Sequence, residues 1–371
     1  MKTKIVRIND NGIGAREEGE IAEAGRILQN GGLVVFPTET VYGLGADAFN
    51  SEGAARIYNA KGRPSDNPLI VHIADLSRLE QVACFSKDDE KDRAFALAEH
   101  FWPGPLTIIL PKTDRLPKET TGGLETVAIR FPAHPVARKL ITAAGGFVAA
   151  PSANISGRPS PTDAKYCIQD MAGKVEMIID SGETQIGLES TIIDLTGNEV
   201  AILRPGIISL EEIESVLGLK KTGVIRTADK SLEESAHPKA PGMKYRHYAP
   251  VGELTIVEGS RQETVVYINK AVQKQRTAGK KTAVIASTET EKLYQADVVH
   301  SIGAATSGEE IAHNLYRILR QMDDEKADVI YSEAFNGLRE TDAIMNRLRK
   351  AAGGHIVCLR DSDGDTSIYS G

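Results

Sequence analysis

Two short clusters in this 371-residue chain carry side chains suited to holding a fixed anion. Lys61-Gly62-Arg63-Pro64 sets two cations two residues apart beside a proline, a spacing that suits a phosphate or a carboxylate. Pro151-Ser152-Ala153-Asn154 follows the apolar run Gly146-Phe147-Val148-Ala149-Ala150, so a hydroxyl and an amide stand at a strand end, able to donate to the same group or to its neighbours. A third segment, residues 37–45, is rich in Thr and Gly and follows the strand-like run Leu33-Val34-Val35-Phe36. Taken singly, a Lys-x-Arg is usually a solvated face, and Ser152 or Asn154 simply caps the segment that follows. Three such loops, each behind an apolar strand, read together as the rim of one pocket handling a nucleotide or an acyl phosphate.

The elements that must position these loops are an alternation of short apolar runs and helical patterns. Runs at 106–110, 127–129, 177–179, 191–195 and 200–203 read as strands, and 51–60, 91–101 and 135–144 as helices. Only Gly197-Asn198 and its neighbours separate the runs at 191–195 and 200–203, too little for a helical crossover, so the sheet is mixed. The chain is too long for one ordinary core, and the expected division is a catalytic domain over 1–215, a linker over 216–250 and a second domain over 251–371. The linker assignment rests on charges, Thr and Gly over 220–240, with Pro238, Pro241 and Gly242 closing it. Beyond it, strand-like runs at 254–257, 282–285, 298–299, 329–331 and 356–359 flank two helical stripes. One is Ile311, Leu315, Ile318, Leu319 and Met322, the other Ile344, Leu348 and Ala351. This predicts a small Rossmann-like parallel α/β domain. Its glycines form no dinucleotide fingerprint, and Gly279-Lys280-Lys281-Thr282 reads as a helix end and turn, not a phosphate loop.

Composition narrows the function. A net charge of −7 argues against a protein built to coat nucleic acid. Cys84, Cys167 and Cys358 lie far apart, as reduced thiols in a cytosol do. The N-terminus has no signal-peptide core, and no apolar run approaches membrane-spanning length, so a soluble cytoplasmic protein is expected. The eight histidines are dispersed and no His-Glu-x-x-His occurs, so no metal site built from protein side chains is expected.

The segments 37–46, 61–73, 127–132, 151–159, 189–195 and Arg204-Pro205-Gly206 resemble, in the same order, the motifs of the YrdC family. The whole chain resembles that family's long form, whose linker pattern is present as Tyr245-Arg246-His247-Tyr248-Ala249-Pro250. No motif departs from the family's pattern. The resemblance implies an N-terminal YrdC-like twisted mixed sheet with a concave pocket, followed by the smaller Rossmann-like domain. It implies a nucleotidyltransferase that combines L-threonine, bicarbonate and ATP into threonylcarbamoyladenylate, releasing pyrophosphate. That product serves N6-threonylcarbamoylation of adenosine in tRNA and passes to a tRNA threonylcarbamoyl transferase.

By the same resemblance Lys61 and Arg63 are the catalytic cations. Thr38, His72, Arg130, Ser190 and Thr191 bind threonine, while Lys61, Arg63, Ser65, Asn67, Ser152, Asn154, Arg204, Arg246 and His247 bind ATP. Magnesium (Mg2+) arrives with ATP and keeps oxygen ligands from phosphate and water. The linker cluster around Arg246 and His247 is expected to close over the pocket as a lid. Outside the resemblance, His72 reads as a satisfied core residue; Arg130, at the end of the run 127–129, suits a carboxylate held bidentately or else a surface ion pair, Ser190 and Thr191 suit a site or a cap or turn, and Arg204 either reaches the nucleotide or solvates a turn. The alternative from another class is an RNA-binding module, and a weak RNA contact is also expected of the enzyme. Carbamoyl transfer, as in hydrogenase-maturation proteins, is set aside because the chain lacks their zinc-finger cysteines.

Overall fold

The structure is a computed structural model and describes residues 1–9, 12–85, 87–219, 224–226, 240, 247–359 and 367–369. The chain divides into two compact units, Met1–Ser156 with Ser160–Lys244, and Gly157–Pro159 with Tyr245–Gly371.

The first unit runs β1 (Lys4–Arg7), α1 (Ala15–Gln29), β2 (Val34–Phe36), β3 (Gly43–Asp47), α2 (Ser51–Lys61), β4 (Ile70–Ile73), α3 (Asp88–Phe101), β5 (Leu106–Pro111) and α4 (Lys118–Thr121). It continues through β6 (Thr126–Arg130), α5 (Pro135–Ala143), β7 (Phe147–Ala150), α6 (Ala164–Met171), β8 (Met177–Asp180), β9 (Thr191–Asp194), β10 (Val200–Arg204), α7 (Leu210–Leu217) and β11 (Val224–Arg226). One mixed sheet of 11 strands joins them in the order β1-β8-β2-β3-β7-β4-β6-β5-β9-β10-β11.

Three local features set the strand ends. β2 and β3 pair antiparallel, and the Phe36 ring lies where a Cβ at Gly43 or Gly45 would stand, at 2.9 and 3.0 Å, so these two positions admit no side chain without displacing the ring. Asn50 caps α2 by accepting from the Gly53 amide, and Gly62 ends the helix at φ +61° in the left-handed region, which leaves Lys61 on the last turn. Pro135 opens α5 behind the His134 cap, and α5 packs beside α1.

The sheet's register lines up one row of residues across six strand pairings: Asp47, Val148, His72, Arg130, Thr107, Ile192 and Arg204. Residues aligned this way share a face of the sheet. Val148 belongs to the apolar cluster under α1 and α5, and Ile192 to a second cluster with Ile70, Ile109, Ala128 and Leu203. Between these two clusters the row turns polar, at His72, Arg130 and Thr107. The next residues along the strands, Val71, Ile129, Ile108 and Ile193, all enter the main core on the other face. A polar stretch inside an otherwise apolar face is where the sheet is built to be used.

The second unit runs β12 (Glu253–Glu258), α8 (Arg261–Thr277), β13 (Thr282–Ala286), β14 (Val298–Ser301), α9 (Gly308–Asp324), β15 (Val329–Glu333), α10 (Thr341–Ala351), β16 (Ile356–Cys358) and β17 (Ser367–Tyr369). Strands β12 to β16 are parallel, in the order β14-β13-β15-β12-β16, as the strand and helix alternation predicts.

The structure departs from the sequence reading in several places. β17 pairs antiparallel with β16, so the second sheet is not wholly parallel. β11 lies inside the stretch read as linker and pairs with the edge of β10; Val224, buried there, supplies the apolar contact that the composition of the stretch conceals. The sequence reading marks no helix at α1, α6, α7 or α8 and no strand at β1 or β3, and β3 begins at Gly43 inside the segment 37–45 read as a loop. α8 buries only Thr264, Ile268 and Val272, a stripe too narrow to stand out in its sequence.

Candidate functional site

Lys61, Ser152 and Asn154 form one knot. The Lys61 ammonium, only 2% exposed, donates to the Ser152 and Asn154 carbonyls at 2.5 Å each, and lies 3.4 Å from Asn154 Oδ1. The Ser152 hydroxyl donates to Asn154 Oδ1 at 2.5 Å, and the Ser156 amide donates to the Lys61 carbonyl at 2.9 Å. A lysine at a helix end thus fixes the loop that leaves β7, and its charge is placed without a freely rotating stem. Arg63 is held separately: Nε donates to the Asn67 carbonyl at 3.1 Å, and Nη2 to Asn67 Oδ1 at 2.6 Å and the Pro68 carbonyl at 3.0 Å. Asn67 is therefore buried against Arg63, whereas Ser65 is exposed in the intervening turn.

Beside the knot lies the loop between β2 and β3, buried throughout residues 37–42. The Ala153 amide donates to the Tyr42 carbonyl at 2.8 Å, and Gly43 bridges to Ser152. From the other side, the amides of Ile186 and Gly187 donate to the carbonyls of Glu39 and Thr40 at 2.8 and 3.2 Å. The hydroxyls inside the loop form a directed chain. Arg130 Nη1 donates to Thr40 Oγ1 at 2.8 Å, and Thr38 Oγ1 gives its own proton to the Val41 carbonyl at 2.6 Å. The 2.9 Å contact between the two threonines is therefore Thr40 donating to Thr38.

Arg130 also donates from Nη2 to Glu39 Oε1 at 2.6 Å and from Nε to the Gly104 carbonyl at 3.4 Å. The side chains of Glu39 and Arg130 are each 5% exposed. Burial pushes the Glu39 carboxyl up, but the Arg130 charge and hydrogen bond, with the amides of Glu39 and Ala133, hold it below the usual carboxylate range. Its Oε2 has no hydrogen-bond partner among the described residues.

His72 is next to Arg130 in the row, and Phe36 stands edge-on to its ring at 6.0 Å. Its Nδ1 faces the Ile70 carbonyl at 3.0 Å, and a carbonyl can only accept, so Nδ1 carries the proton and Nε2 remains an acceptor. Burial, reinforced by the positive Arg130, brings its pKa down to about 3. It is neutral at physiological pH.

On the other flank, Arg204 donates from Nε to the Ser190 carbonyl and from Nη2 to Ser190 Oγ, both at 3.1 Å, and Ser190 Oγ lies 2.7 Å from Thr107 Oγ1. Thr191 Oγ1 donates to the Ile208 carbonyl at 2.9 Å. A Cβ at Gly206 would stand 2.5 Å from the Thr191 nitrogen, so Arg204-Pro205-Gly206 lies directly on this turn. His247 falls in the second unit, with its ring 5.5 Å from that of Tyr248, and Arg246 lies outside the described residues.

The structure thus gathers Lys61, Ser152 and Asn154 in one knot, Arg63 and Asn67 in a second, Thr38 and Arg130 in a third with His72 alongside, and Ser190 and Arg204 in a fourth. Glu39, Thr40 and Thr107 escaped the sequence reading. Glu39 and Thr40 sit inside a recognised motif, but nothing local marks them as partners of a residue 90 positions away. Thr107 hides in the apolar run of β5, where threonine is an ordinary strand former.

A mixed sheet with a polar stretch on one face, beside buried cations and strand-end donors, is the kind of site that handles a small anionic ligand. The profile of the family described as "Telomere recombination" (Sua5, YciO and YrdC) matches residues 26–206, and that described as "Threonylcarbamoyl-AMP synthase, C-terminal domain" matches residues 208–353. A threonylcarbamoyl-AMP synthase of Pyrococcus abyssi is 49% identical over 343 residues, covering 92% of this chain and 96% of the relative. That of Bacillus subtilis is 44% identical over 359 residues, covering 96% of this chain and all of the relative. The crystal structure of P. abyssi Sua5 complexed with L-threonine aligns with a TM-score of 0.86 at 46% identity, over 96% of this chain and 100% of the other. The chain belongs to the Sua5/YciO/YrdC family, in its long form with the C-terminal domain.

Proposed function

We propose that this chain is a nucleotidyltransferase that makes threonylcarbamoyladenylate from L-threonine, bicarbonate and ATP, for N6-threonylcarbamoylation of tRNA. The observation that carries the reading is the junction of two unlike polar groups through one buried loop. The Lys61 knot touches residues 42–43, and the Arg130 group holds residues 39–40 of the same loop. One group suits phosphates, the other an amino acid, and the near full-length likeness to named threonylcarbamoyl-AMP synthases supports that pairing.

In this reading the threonine amine and bicarbonate first give a carbamate and water. A carbamate oxygen then attacks the α-phosphorus of ATP, the bond to the β-phosphate bridging oxygen breaks, and pyrophosphate leaves with those electrons. Lys61 and Arg63 neutralise charge on the phosphates, and their carbonyl partners hold them in place before the ligand arrives. Ser152 and Asn154 complete that cradle. Asn67 aligns Arg63, the exposed Ser65 adds a phosphate contact, and Arg204 reaches the nucleotide; Arg246 and His247 are further nucleotide-binding residues in this reading. Arg130 holds the threonine carboxylate, His72 Nε2 accepts from the threonine hydroxyl, and Thr38, Ser190 and Thr191 shape the walls. The Thr38 and Thr191 hydroxyls donate to backbone carbonyls, so their part is to set the loop and turn around the amino acid.

Magnesium enters with ATP and supplies charge neutralisation on its phosphates. In this reading phosphate and water oxygens are its ligands. No helix among the described residues is long and apolar enough to cross a membrane. A cytoplasmic enzyme handing its product to a tRNA threonylcarbamoyl transferase completes the proposal.

The test is pyrophosphate release by the purified chain, with threonine and bicarbonate supplied together or singly. Release that needs both, an adenylate-mass product, and a loss of about 100-fold or more in Lys61→Ala are expected. Release indifferent to threonine would overturn the proposal, and salt-dependent RNA binding without ATP consumption would favour the RNA-binding alternative.

A further inference from the structure

Glu39 has no assigned role in the reaction above, yet it is buried and paired with Arg130, the residue that reading gives to the threonine carboxylate. Its Oε1 accepts from Arg130 at 2.6 Å, and the backbone amides of Glu39 and Ala133 also favour the charged form, while Oε2, equally enclosed, has no hydrogen-bond partner among the described residues. An ionised oxygen shut away from water without a donor is costly unless a ligand supplies one. The nearby hydroxyls do not: Thr40 donates to Thr38, and Thr38 to the Val41 carbonyl. Arg130 has complementary spare capacity. Of its five N–H groups three are engaged, by Gly104, Thr40 and Glu39, which leaves two for a carboxylate. The Glu39–Arg130 pair is neutral as a unit, and His72 beside it is uncharged. A ligand bearing one positive and one negative group therefore matches the pair, whereas a bare anion or a bare cation leaves an uncompensated buried charge.

We infer that Glu39 is a specificity-determining residue: its Oε2 accepts from the ammonium of the incoming amino acid while Arg130 holds the carboxylate, so the pair reads a zwitterion. The inference rests on the reading of this site as one for threonine. It separates an α-amino acid from the corresponding hydroxy acid, which no other described residue of the site does by charge.

The test is direct binding to the full chain, by calorimetry, of L-threonine and of 2,3-dihydroxybutyrate, in which a hydroxyl replaces the amine. The wild type should favour threonine by about 10- to 100-fold, the worth of one charge-assisted hydrogen bond. In Glu39→Gln that preference should shrink to about threefold or less, whereas a purely structural role would weaken both ligands alike. Equal binding of the two ligands by the wild type overturns the inference whether or not the variant folds, and so does a Glu39→Gln chain that keeps the full preference. If circular dichroism shows Glu39→Gln unfolded, Glu39→Asp, which keeps the charge but withdraws it by one methylene, must show a reduced preference; an undiminished one overturns the inference. A wild type that binds neither ligand removes the threonine reading itself, a failure distinct from equal binding.

Discussion

Glu39 and Glu333 are both buried carboxylates, one in the loop after β2 and the other at the end of β15, and their surroundings are opposites. Glu333 ends β15 and is fully served by neutral donors. Tyr294 OH, at 2.6 Å, and Thr290 Oγ1 donate to Oε1, and the Ser287 amide donates to Oε2 at 2.9 Å. Glu39 has one cationic partner and an oxygen left over. The chain leaves β13 and β15 in opposite directions along the second sheet, and the crevice between such strands is where an open α/β sheet usually takes a ligand. Glu333 fills that crevice with its own bonds. Position in a fold therefore nominates both places, and the hydrogen-bond inventory separates them: one polar group is finished by the protein, the other is finished by something else.

The sharpest way to break this contrast is Arg130→Lys. A lysine cannot reach Glu39, Thr40 and Gly104 together, so kcat/KM for threonine should fall by about 100-fold or more, mostly through KM. Steady-state pyrophosphate release against threonine concentration checks this, and a loss below tenfold would mean the Glu39 group is structural after all.

A smaller effect comes from His72. Its folded pKa of about 3 lies below the unfolded value of 6.5. Between those limits the unfolded chain binds a proton that the folded chain refuses, so stability falls as pH falls, by about 1.4 kcal/mol per pH unit from this group. Urea midpoints measured from pH 7 down to about 4 should lose much of that slope in His72→Asn. An unchanged slope would show that His72 is not the buried neutral group described here.

The least effect on activity is expected of Glu333→Gln. Its new NH2 group faces either donating hydroxyls or the Ser287 amide, which costs about 2 kcal/mol of stability in thermal unfolding. Pyrophosphate release by the folded variant should stay within about twofold of the wild type. A tenfold loss would make Glu333 as functional as Glu39 and dissolve the comparison.

How much of this was legible in the sequence follows from where each signal lives. The knot of Lys61, Ser152 and Asn154 could be read because each half is a compact cluster behind an apolar strand. α9 could be read because nine of its residues are buried along one side, whereas three in α8 could not carry the pattern. The polar row was not legible. His72, Arg130, Thr107 and Arg204 become neighbours only through the order β4-β6-β5-β9-β10, and no periodicity in the chain records which strands will pair. Glu39 fell to the same difficulty. Its charge is ordinary; what distinguishes it is an arginine brought from a distant strand and one oxygen left without a donor.

The pairing of β1 has a consequence for the birth of the chain. Residues 4–7 lie parallel to residues 177–180, with the Lys4 amide on the Glu176 carbonyl and the Ile8 amide on the Asp180 carbonyl. On a ribosome adding about 5–20 residues per second, β1 emerges roughly 10–35 s before its partner exists. β1 therefore stays without its sheet partner while residues 8–176 are made, and an exposed apolar edge has to be kept from other chains for that long.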